Sequence, residues 1–416
     1  MENPLKHLRE QIKPDLHRPD KEAVPEYCLN ESCIHHHPGP QNTGNWYKHF
    51  GSHKTKAHGI VPRFRCKACK KTFSTQSFSI HYWTHRVMNM EQFESVLVGS
   101  SGQRQLGRSL KASGRLVKNR CQRLARNYLA CYAEVAKHHT ITEDCAFDGF
   151  ESFVRSQYFP ASFNILIGSE SLALYGVSVN LMRRKGRMTA IQKANRTMID
   201  EHFKPKPSDT KKACMIVFES LKGRIRESDT PWELWTDKHK AYPTALHQID
   251  WTREAIENES IVHNTISSKA ARIRSNPLFP VNYMDREARK DMADHARETV
   301  RFPREINMAI QRMIAVLGAH TFGKPKTITG RCFTDQDPTH ADEAGMTQID
   351  SVQYVVKNRH TKRFLYSHAS KGGCPDWITM IWKELYKNPP VVDFVTGEEI
   401  KKRQYGKDRK SAHLFA

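Results

Sequence analysis

Four cysteines near the N-terminus, arranged as two close pairs, constrain the fold of this chain more than any other feature. Cys28 and Cys33 form the first pair, and Cys66 and Cys69 form the second. Two short cysteine loops brought together make a tetrahedral thiolate site, which suits zinc and stabilises a domain too small to fold on a hydrophobic core alone. The sequence therefore predicts a zinc ribbon over residues 27–86, with these four cysteines as the structural Zn²⁺ ligands.

The second pair is the more specific half of this motif. Strand-forming residues flank it, with Phe64 before it and Thr72-Phe73 after it. The first pair has a wider gap, and three histidines that follow it offer an alternative ligand in place of the second cysteine: His35, His36 and His37. The other six cysteines are scattered, which indicates a reducing compartment with one metal site rather than a disulfide framework: Cys121, Cys131, Cys145, Cys214, Cys332 and Cys374.

The net charge of +22 is concentrated towards the N-terminus. Residues 1–140 hold 23 Lys/Arg against 10 Asp/Glu, whereas residues 141–320 hold 27 against 23 and residues 321–416 hold 16 against 11. A polyanion is the natural partner of such a surplus, so we expect nucleic acid. The chain lacks both a run of 18 apolar residues and a long basic amphipathic helix, so we expect no membrane partner and a cytoplasmic location.

Residues 87–139 are predicted to form an all-α helix-turn-helix DNA-binding domain. Helices are expected at 90–98, 103–110 and 115–133, with a short turn ending in Gly114 before the third, the recognition helix. Apolar residues in the third helix step by four, three and four positions, which gives one buried face: Val117, Cys121, Leu124 and Tyr128.

Side chains on the opposite face of the recognition helix are expected to contact DNA. No acidic residue occurs between Glu94 and Glu134. Arg, Asn and Gln read base edges in the major groove, while Lys and the outer Arg hold phosphates. The side chains assigned to this contact are Arg115, Lys118, Asn119, Gln122 and Arg126. A solvated basic helix that packs on its neighbours is the alternative interpretation.

Residues 140–320 alternate short β-type runs with helices. Asp148 lies in a first run with alternating apolar residues at 145–153, and runs at 161–168 and 172–181 form a hairpin. After a helical insertion, Asp237 ends a fourth strand. This order predicts an RNase H-like α/β domain, so the chain is expected to be multidomain.

A carboxylate-bearing helix completes that pattern. Asp285 is expected at the start of a helix that reaches about residue 302. In an RNase H-like domain the acidic residues meet at adjacent strand ends and a facing helix. Such a cluster suits two Mg²⁺ ions, which prefer carboxylate oxygens and can activate one oxygen while stabilising the leaving one.

The flanking segments carry weaker signals. Residues 1–26 are polar and contain proline, which predicts a flexible arm. Residues 321–416 form a basic C-terminal region of unknown role, in which 351–364 is compatible with strands and Lys401-Lys-Arg403 with phosphate contact.

The chain resembles the DDE transposases of bacterial insertion sequences, in the group with an N-terminal zinc ribbon and helix-turn-helix. Four segments carry the resemblance, in the family's order and over roughly residues 28–325: 63–73 at the second cysteine pair, 147–153 around the first acid, 236–243 with an Asp followed shortly by Tyr-Pro, and 278–285 with an Asn three residues before the third acid.

The resemblance implies that Asp148 and Asp237 are the metal carboxylates and that Asp285 is the third. The family commonly has Glu at the third position, and Glu287 is the alternative; because two helical residues turn about 200°, both cannot face one metal. Asn282 is an assisting polar ligand by this comparison, and Arg289 would face DNA phosphate.

The implied reaction is Mg²⁺-dependent hydrolysis at the terminal repeats of the element, followed by attack of the freed 3′-OH on a target phosphodiester. Both ends must be held at once, so we expect a homodimer or higher oligomer, associated with the bacterial nucleoid. The alternatives are a DNA-binding regulator derived from an inactive transposase and, more weakly, an RNA-binding ribbon protein. The sequence shows no arginine-rich constellation with a tyrosine, so it does not support a tyrosine recombinase.

Overall fold

The computed structural model describes residues 25–39, 42, 44–296, 301–327 and 337–400. The protein is a mixed α/β structure with a three-stranded sheet near the N-terminus and a five-stranded sheet in the middle of the chain. Residues 1–24 of the predicted arm at 1–26 lie outside the described residues, as do residues 401–416 of the basic C-terminal region, which include Lys401-Lys-Arg403. Within the described residues, no helix is sufficiently long and apolar to cross a bilayer.

The small sheet contains the cysteine-bearing turns. Its strands are β1 (Tyr47–Thr55), β2 (Gly59–Cys66) and β3 (Thr72–Ser74), all antiparallel. The second cysteine pair lies in the turn between β2 and β3, so the predicted flanking strands are confirmed. A small aromatic core fills this unit: Trp46, Phe64 and Phe73, together with the cysteines.

Three helices follow at the predicted positions. They are α1 (Met90–Leu97), α2 (Gln103–Ser109) and α3 (Gly114–His138). The Ser113 side chain caps the start of α3 by accepting a bond from the Leu116 amide, which satisfies one of the free N–H groups of the first turn. The apolar stripe predicted for α3 is buried, with Val117, Cys121 and Tyr128 all at most 1% exposed.

The large sheet is mixed and has the order β6-β5-β4-β7-β8. Its strands are β4 (Cys145–Val154), β5 (Ser156–Gly168), β6 (Leu174–Leu181), β7 (Trp232–Asp237) and β8 (Ile261–Ile266). Strands β4, β5 and β6 are antiparallel neighbours, whereas β7 pairs in parallel with both β4 and β8. The first four strands match the sequence prediction; β8 was not predicted, since its burial is only partial.

Helices cover the sheet and complete the chain. Between β6 and β7 lie α4 (Ala190–His202) and α5 (Pro207–Glu219), which form the expected helical insertion; α6 (Ala241–Gln248) and α7 (Asp250–Glu257) follow β7. The remaining helices are α8 (Phe279–Asp291), α9 (Ile306–Gly323), α10 (His340–Glu343), α11 (Asp350–Asn358), α12 (Tyr366–Ala369) and α13 (Asp376–Lys383).

Two element predictions were wrong. Helix α8 begins at Phe279 and ends at Asp291, so Asp285 lies in its middle and the helix does not continue to residue 302. The segment considered for strands at 351–364 contains helix α11. Its apolar residues Val352 and Val355 are buried three positions apart, which fits the helical period rather than the strand period.

One hydrophobic core joins segments that the sequence analysis treated as separate domains. It runs from Ile80 through the sheet to Trp382, and helix α3 lies at its centre, in contact with α9, α11 and α13. The C-terminal region therefore covers α3, and the segment 87–139 does not form an isolated unit. The ribbon keeps its own core and docks on the C-terminal region, where His36 Nε2 lies 2.8 Å from Ser367 Oγ.

Candidate functional sites: a four-cysteine cluster and an acidic pair

The four predicted cysteines converge on one point. Their sulfur atoms all lie within 4.8 Å of one another, with Cys28 Sγ 3.4 Å from Cys69 Sγ and Cys33 Sγ 3.7 Å from Cys66 Sγ. In a tetrahedral site with metal–sulfur bonds of about 2.3 Å, the sulfur atoms are roughly 3.8 Å apart. The cluster could therefore hold a metal ion with little movement of its ligands.

The histidines considered as alternative ligands are engaged elsewhere. His36 is buried, and its ring contacts the Cys28 carbonyl through Nδ1 at 2.7 Å as well as Ser367. His35 Nδ1 lies 3.0 Å from Asn42 Oδ1, and its ring stacks on Trp46. Neither ring replaces Cys33 at the cluster, so the geometry favours the all-cysteine set.

His36, His37 and His368 bring their ring nitrogens together, also within 4.8 Å. Both nitrogens of His36 already have protein partners, and His368 Nε2 lies 2.9 Å from the His36 carbonyl oxygen. This cluster therefore fastens the ribbon to helix α12, and its geometry is that of a packed interface.

Asp148 and Asp237 lie side by side on adjacent parallel strands. Phe147 is opposite Thr236 in the register of β4 and β7, so the next residue on each strand is one of the two aspartates. Neighbouring strands are about 4.8 Å apart. Burial, together with the negative charge of Asp237, raises the pKa of Asp148 to about 6.

Tyr242 holds Asp148 in place. Its hydroxyl donates a 3.0 Å hydrogen bond to Asp148 Oδ1, which also accepts a 2.7 Å bond from the Gly149 amide. Tyr242 is buried on helix α6, and its ring packs against Phe147. In the sequence this tyrosine is part of the Tyr-Pro motif that follows Asp237, and the motif does not indicate its contact with Asp148. Its place five residues after Asp237, in the helix that follows the strand, was the available signal.

Helix α8 packs against β4 and β5. Arg289 lies 4.6 Å from the Phe150 ring and donates to the Glu151 carbonyl, and beyond the end of the helix His295 Nδ1 lies 2.7 Å from Ser152 Oγ. Asp285 is one helical turn before Arg289 on the same helix, about 6 Å along its axis.

The carboxylates of Asp148, Asp237 and Asp285 do not form one tight cluster. Among the described residues, the sets of three or more ligand atoms within 4.8 Å of one another are the cysteine and histidine clusters, and neither includes Asp148, Asp237 or Asp285. The structure thus brings the first two acids together and leaves the third on a facing helix.

Glu287 has a different environment. It is buried, and it forms ion pairs with Lys290 at 2.6 Å and with Lys324, the residue directly after helix α9. These cations lower the pKa of its carboxyl group despite the opposing effect of burial. Glu287 is therefore neutralised on another side of α8, and Asp285 is the better candidate for the third acid.

Two further predicted site residues make local contacts. Asn282 donates a 2.9 Å bond to the Leu278 carbonyl within its own helix. Arg289 was expected to face phosphate, but its guanidinium packs over Phe150 and donates to the carbonyls of Glu151 and His295. Its described contacts therefore join α8 to β4.

The predicted DNA-reading face of helix α3 is partly covered by other segments of the chain. Lys118 is paired with Glu305, and Gln122 and Arg126 both contact Glu384. These side chains were read as solvent-facing because they lie opposite the apolar stripe, yet α9 and the C-terminal region pack on that side too. Of the five residues assigned to DNA, Arg115 is exposed, and Asn119 is half-buried and bonded to Arg120.

A basic cavity of about 710 Å³ lies between helix α2, the first half of α3 and residues 301–308. Two carboxylates, Asp294 and Glu305, also face it. Its cationic lining is Arg104, Arg108, Lys118, Arg301, Arg304 and Arg312. No local sequence pattern indicates this cavity, because its two walls come from segments about 200 residues apart in the chain.

A scan against known protein families finds no match to this chain, and a search of curated proteins finds none either.

Proposed function

We propose that this protein is a DNA strand transferase of the DDE transposase type, which cleaves and joins DNA with Mg²⁺ at Asp148 and Asp237. The observation that carries the proposal is the pairing of these two aspartates on adjacent parallel strands. A like-charge pair of half-buried carboxylates is costly without a cation, and the raised pKa of Asp148 is consistent with that cost. Carboxylate oxygens are the ligands that Mg²⁺ prefers.

The sheet supports an RNase H-like assignment. The chain passes through three antiparallel strands, a helical insertion, a parallel strand that carries the second acid and then the acid-bearing helix α8. This is the order that the resemblance to insertion-sequence transposases implies. Asp285 is the proposed third carboxylate, on helix α8, which packs against the strand that carries Asp148.

When bound, Mg²⁺ would polarise the scissile phosphate and activate the attacking oxygen. The protein's own contribution is positional. Tyr242 fixes one oxygen of Asp148 through its hydroxyl, and the Gly149 amide fixes the same oxygen from the backbone. The other carboxylate oxygen of Asp148 and the carboxylate of Asp237 would hold the ion.

Structural Zn²⁺ is the proposed occupant of the four-cysteine cluster. Burial raises the pKa of the Cys28 and Cys33 thiols. A bound Zn²⁺ would supply the charge that keeps all four sulfurs ionised. The proposed role is to fold the ribbon and to hold it against the C-terminal region.

Double-stranded DNA is the proposed partner, as element ends and as target, and a homodimer or higher oligomer would hold two ends together. The exposed Arg115 and the basic cavity supply cations on the face of α2 and α3. Such cations contribute affinity for phosphates and only little sequence preference.

The test uses the purified full-length protein, Mg²⁺ and a supercoiled plasmid that carries the genomic segments on both sides of its gene. Wild-type protein should nick or join this DNA, and Asp237→Asn should bind it equally well without cutting it. Asp229→Asn, on an exposed loop, is the matched control. Equal nicking by wild type and Asp237→Asn would exclude this site.

A DNA-binding regulator derived from an inactive transposase is the second candidate. It is favoured by the position of Asp285, which does not join the other two aspartates in a group within 4.8 Å. A regulator would bind duplex DNA and leave it uncut in Mg²⁺ and in Mn²⁺, whereas an enzyme would cut in at least one of them.

A further inference from the structure

The three-stranded unit and the connector between β3 and helix α1, residues 75–89, have an unusual charge distribution. Residues 32–90 contain nine Lys/Arg and no Asp or Glu. The helix expected to read DNA is partly covered by other parts of the chain, and three of its assigned side chains are engaged by Glu305 and Glu384. The cations on its N-terminal side are the alternative accessible surface.

The hairpin of β1 and β2 presents one part of this surface. Strand β1 is an edge strand, and its residues 48–54 are exposed along the whole length. Lys48 lies opposite Arg65 in the strand register, and the guanidinium groups of Arg63 and Arg65 lie 5.3 and 5.4 Å from the Phe50 ring. The hairpin thus carries cations around a partly exposed aromatic ring.

Trp83 presents the second part. Its side chain is 88% exposed, although tryptophan is usually well buried. Its backbone has φ of +52°, a left-handed conformation that is unfavourable for a residue with a Cβ atom. Both features carry a cost in the isolated protein, which points to a partner that contacts the indole ring.

The turn that carries Trp83 is held rigidly on both sides. Before it, the Tyr82 ring lies between two guanidinium groups, those of Arg123 at 3.9 Å and Arg363 at 3.7 Å. After it, Thr84 Oγ1 donates a 2.7 Å bond to the His81 carbonyl. A partner would therefore meet an exposed indole ring carried by a backbone turn that is anchored on both sides.

The two parts adjoin each other. His58, in the turn between β1 and β2, interacts with the backbone of Thr84. The connector also carries Arg86, which is exposed and donates a 2.6 Å bond to the Lys111 carbonyl. The hairpin and the Trp83 turn are therefore neighbours, and their cations together with the exposed rings of Phe50 and Trp83 are here called the ribbon surface.

We propose that the ribbon surface is the main duplex DNA contact of this protein, with the β1–β2 hairpin in the major groove and Trp83 against a base or sugar. The major groove admits a two-stranded β-ribbon as well as a helix. Lys48, Arg63 and Arg65 contact phosphates, while apolar rings that insert at a base step are a recurrent device in DNA-bending proteins. This inference rests on the DNA binding in the proposed function and is independent of strand cleavage.

The experiment measures binding of the full-length, zinc-loaded protein to a labelled duplex by fluorescence anisotropy, in EDTA-free buffer without Mg²⁺ and across a series of salt concentrations. Trp83→Ala should weaken binding by about tenfold, within the range for aromatic–base contacts, and Trp83→Phe should restore most of it. Lys48→Gln should weaken binding by a few-fold and lower the salt slope by about 1.

Two substitutions serve as matched controls. Ile191→Ala removes an exposed apolar side chain from helix α4, and Lys222→Gln removes an exposed cation from the turn after α5. Both should bind DNA as the wild type does. Zinc content and thermal unfolding of every variant would verify that the ribbon remains folded.

The outcomes separate the two proposals. Unchanged affinity in Trp83→Ala and in Lys48→Gln, while the wild type binds duplex DNA, would overturn the ribbon surface and leave the proposed function standing. Tighter binding to a single-stranded RNA than to the duplex would also overturn it. If the wild type bound no duplex at all, both the ribbon surface and the DNA binding in the proposed function would be overturned. A failure to cut DNA would overturn the enzymatic proposal alone.

Discussion

The replacement Asp148→Asn is expected to make the folded protein more stable at alkaline pH. The carboxyl pKa is raised from 3.8 to about 6, first by burial and then by the charge of Asp237. An asparagine side chain has nearly the same shape, and its Oδ1 can still accept the bonds from Tyr242 and Gly149. The substitution therefore removes the unfavourable charge and keeps the described contacts.

The magnitude follows from the size of the shift. A difference of about 2 pKa units at about 1.36 kcal/mol per unit corresponds to about 3 kcal/mol. Below pH 4 both states are protonated and the penalty is absent. Between pH 4 and 6 the folded state retains a proton that the unfolded chain has released, so the free energy of unfolding falls as pH rises, and above pH 6 the full penalty applies.

Urea unfolding of both proteins between pH 4 and pH 8, with EDTA present to exclude divalent cations, measures this effect. Asp148→Asn should be more stable than wild type by as much as about 3 kcal/mol at pH 8, with the difference vanishing near pH 4. The exposed Asp229→Asn should show no such dependence. A variant that is equally stable or less stable at pH 8 would refute the assignment of a buried, uncompensated charge to Asp148.

Three further predictions test other contacts. Cys66→Ser should lose bound zinc, measured by metal analysis, and should expose the ribbon to protease; retention of one zinc per chain would exclude the four-cysteine site. Gly318→Ala should lower the free energy of unfolding by about 1–3 kcal/mol, because the added Cβ would overlap the buried ring of Tyr128; an unchanged urea midpoint would contradict this packing. Arg126→Gln should leave the affinity for duplex DNA within about twofold, because Glu384 already engages this residue. Arg115→Gln should weaken binding and lower the salt slope by about 1. If anisotropy titrations gave the reverse order, the middle of helix α3 around Arg126 would be the DNA contact.

Local patterns accounted for most of the elements and for the residues that carry chemistry. The alternation of apolar residues predicted β4 to β6, and the spacing of Val117, Cys121, Leu124 and Tyr128 predicted the buried face of α3. The two cysteine pairs predicted their own cluster, because two short turns with thiols are stabilised together by one metal. In each case the signal lies within a few residues of the feature that it predicts.

The tertiary structure decided which polar residues remain accessible. Periodicity assigned Gln122 and Arg126 to the side opposite the apolar stripe, and it contains no information on what covers that side. Glu384 approaches them from about 260 residues away in the chain, and no local pattern encodes such a contact. The same reason explains the basic cavity and the docking of the ribbon through His36.

The acidic site shows both contributions. Sequence alone selected Asp148 and Asp237 by their positions in strands and by the family resemblance, and it favoured Asp285 as the third acid with Glu287 as the alternative. The parallel pairing of β4 with β7 placed the first two side by side, and Lys290 and Lys324 neutralised Glu287 on another side of its helix. Residue type and local period are properties of the sequence. The distance between side chains from remote segments is fixed only when strands and helices pack, because packing selects one register among many that the same local patterns allow.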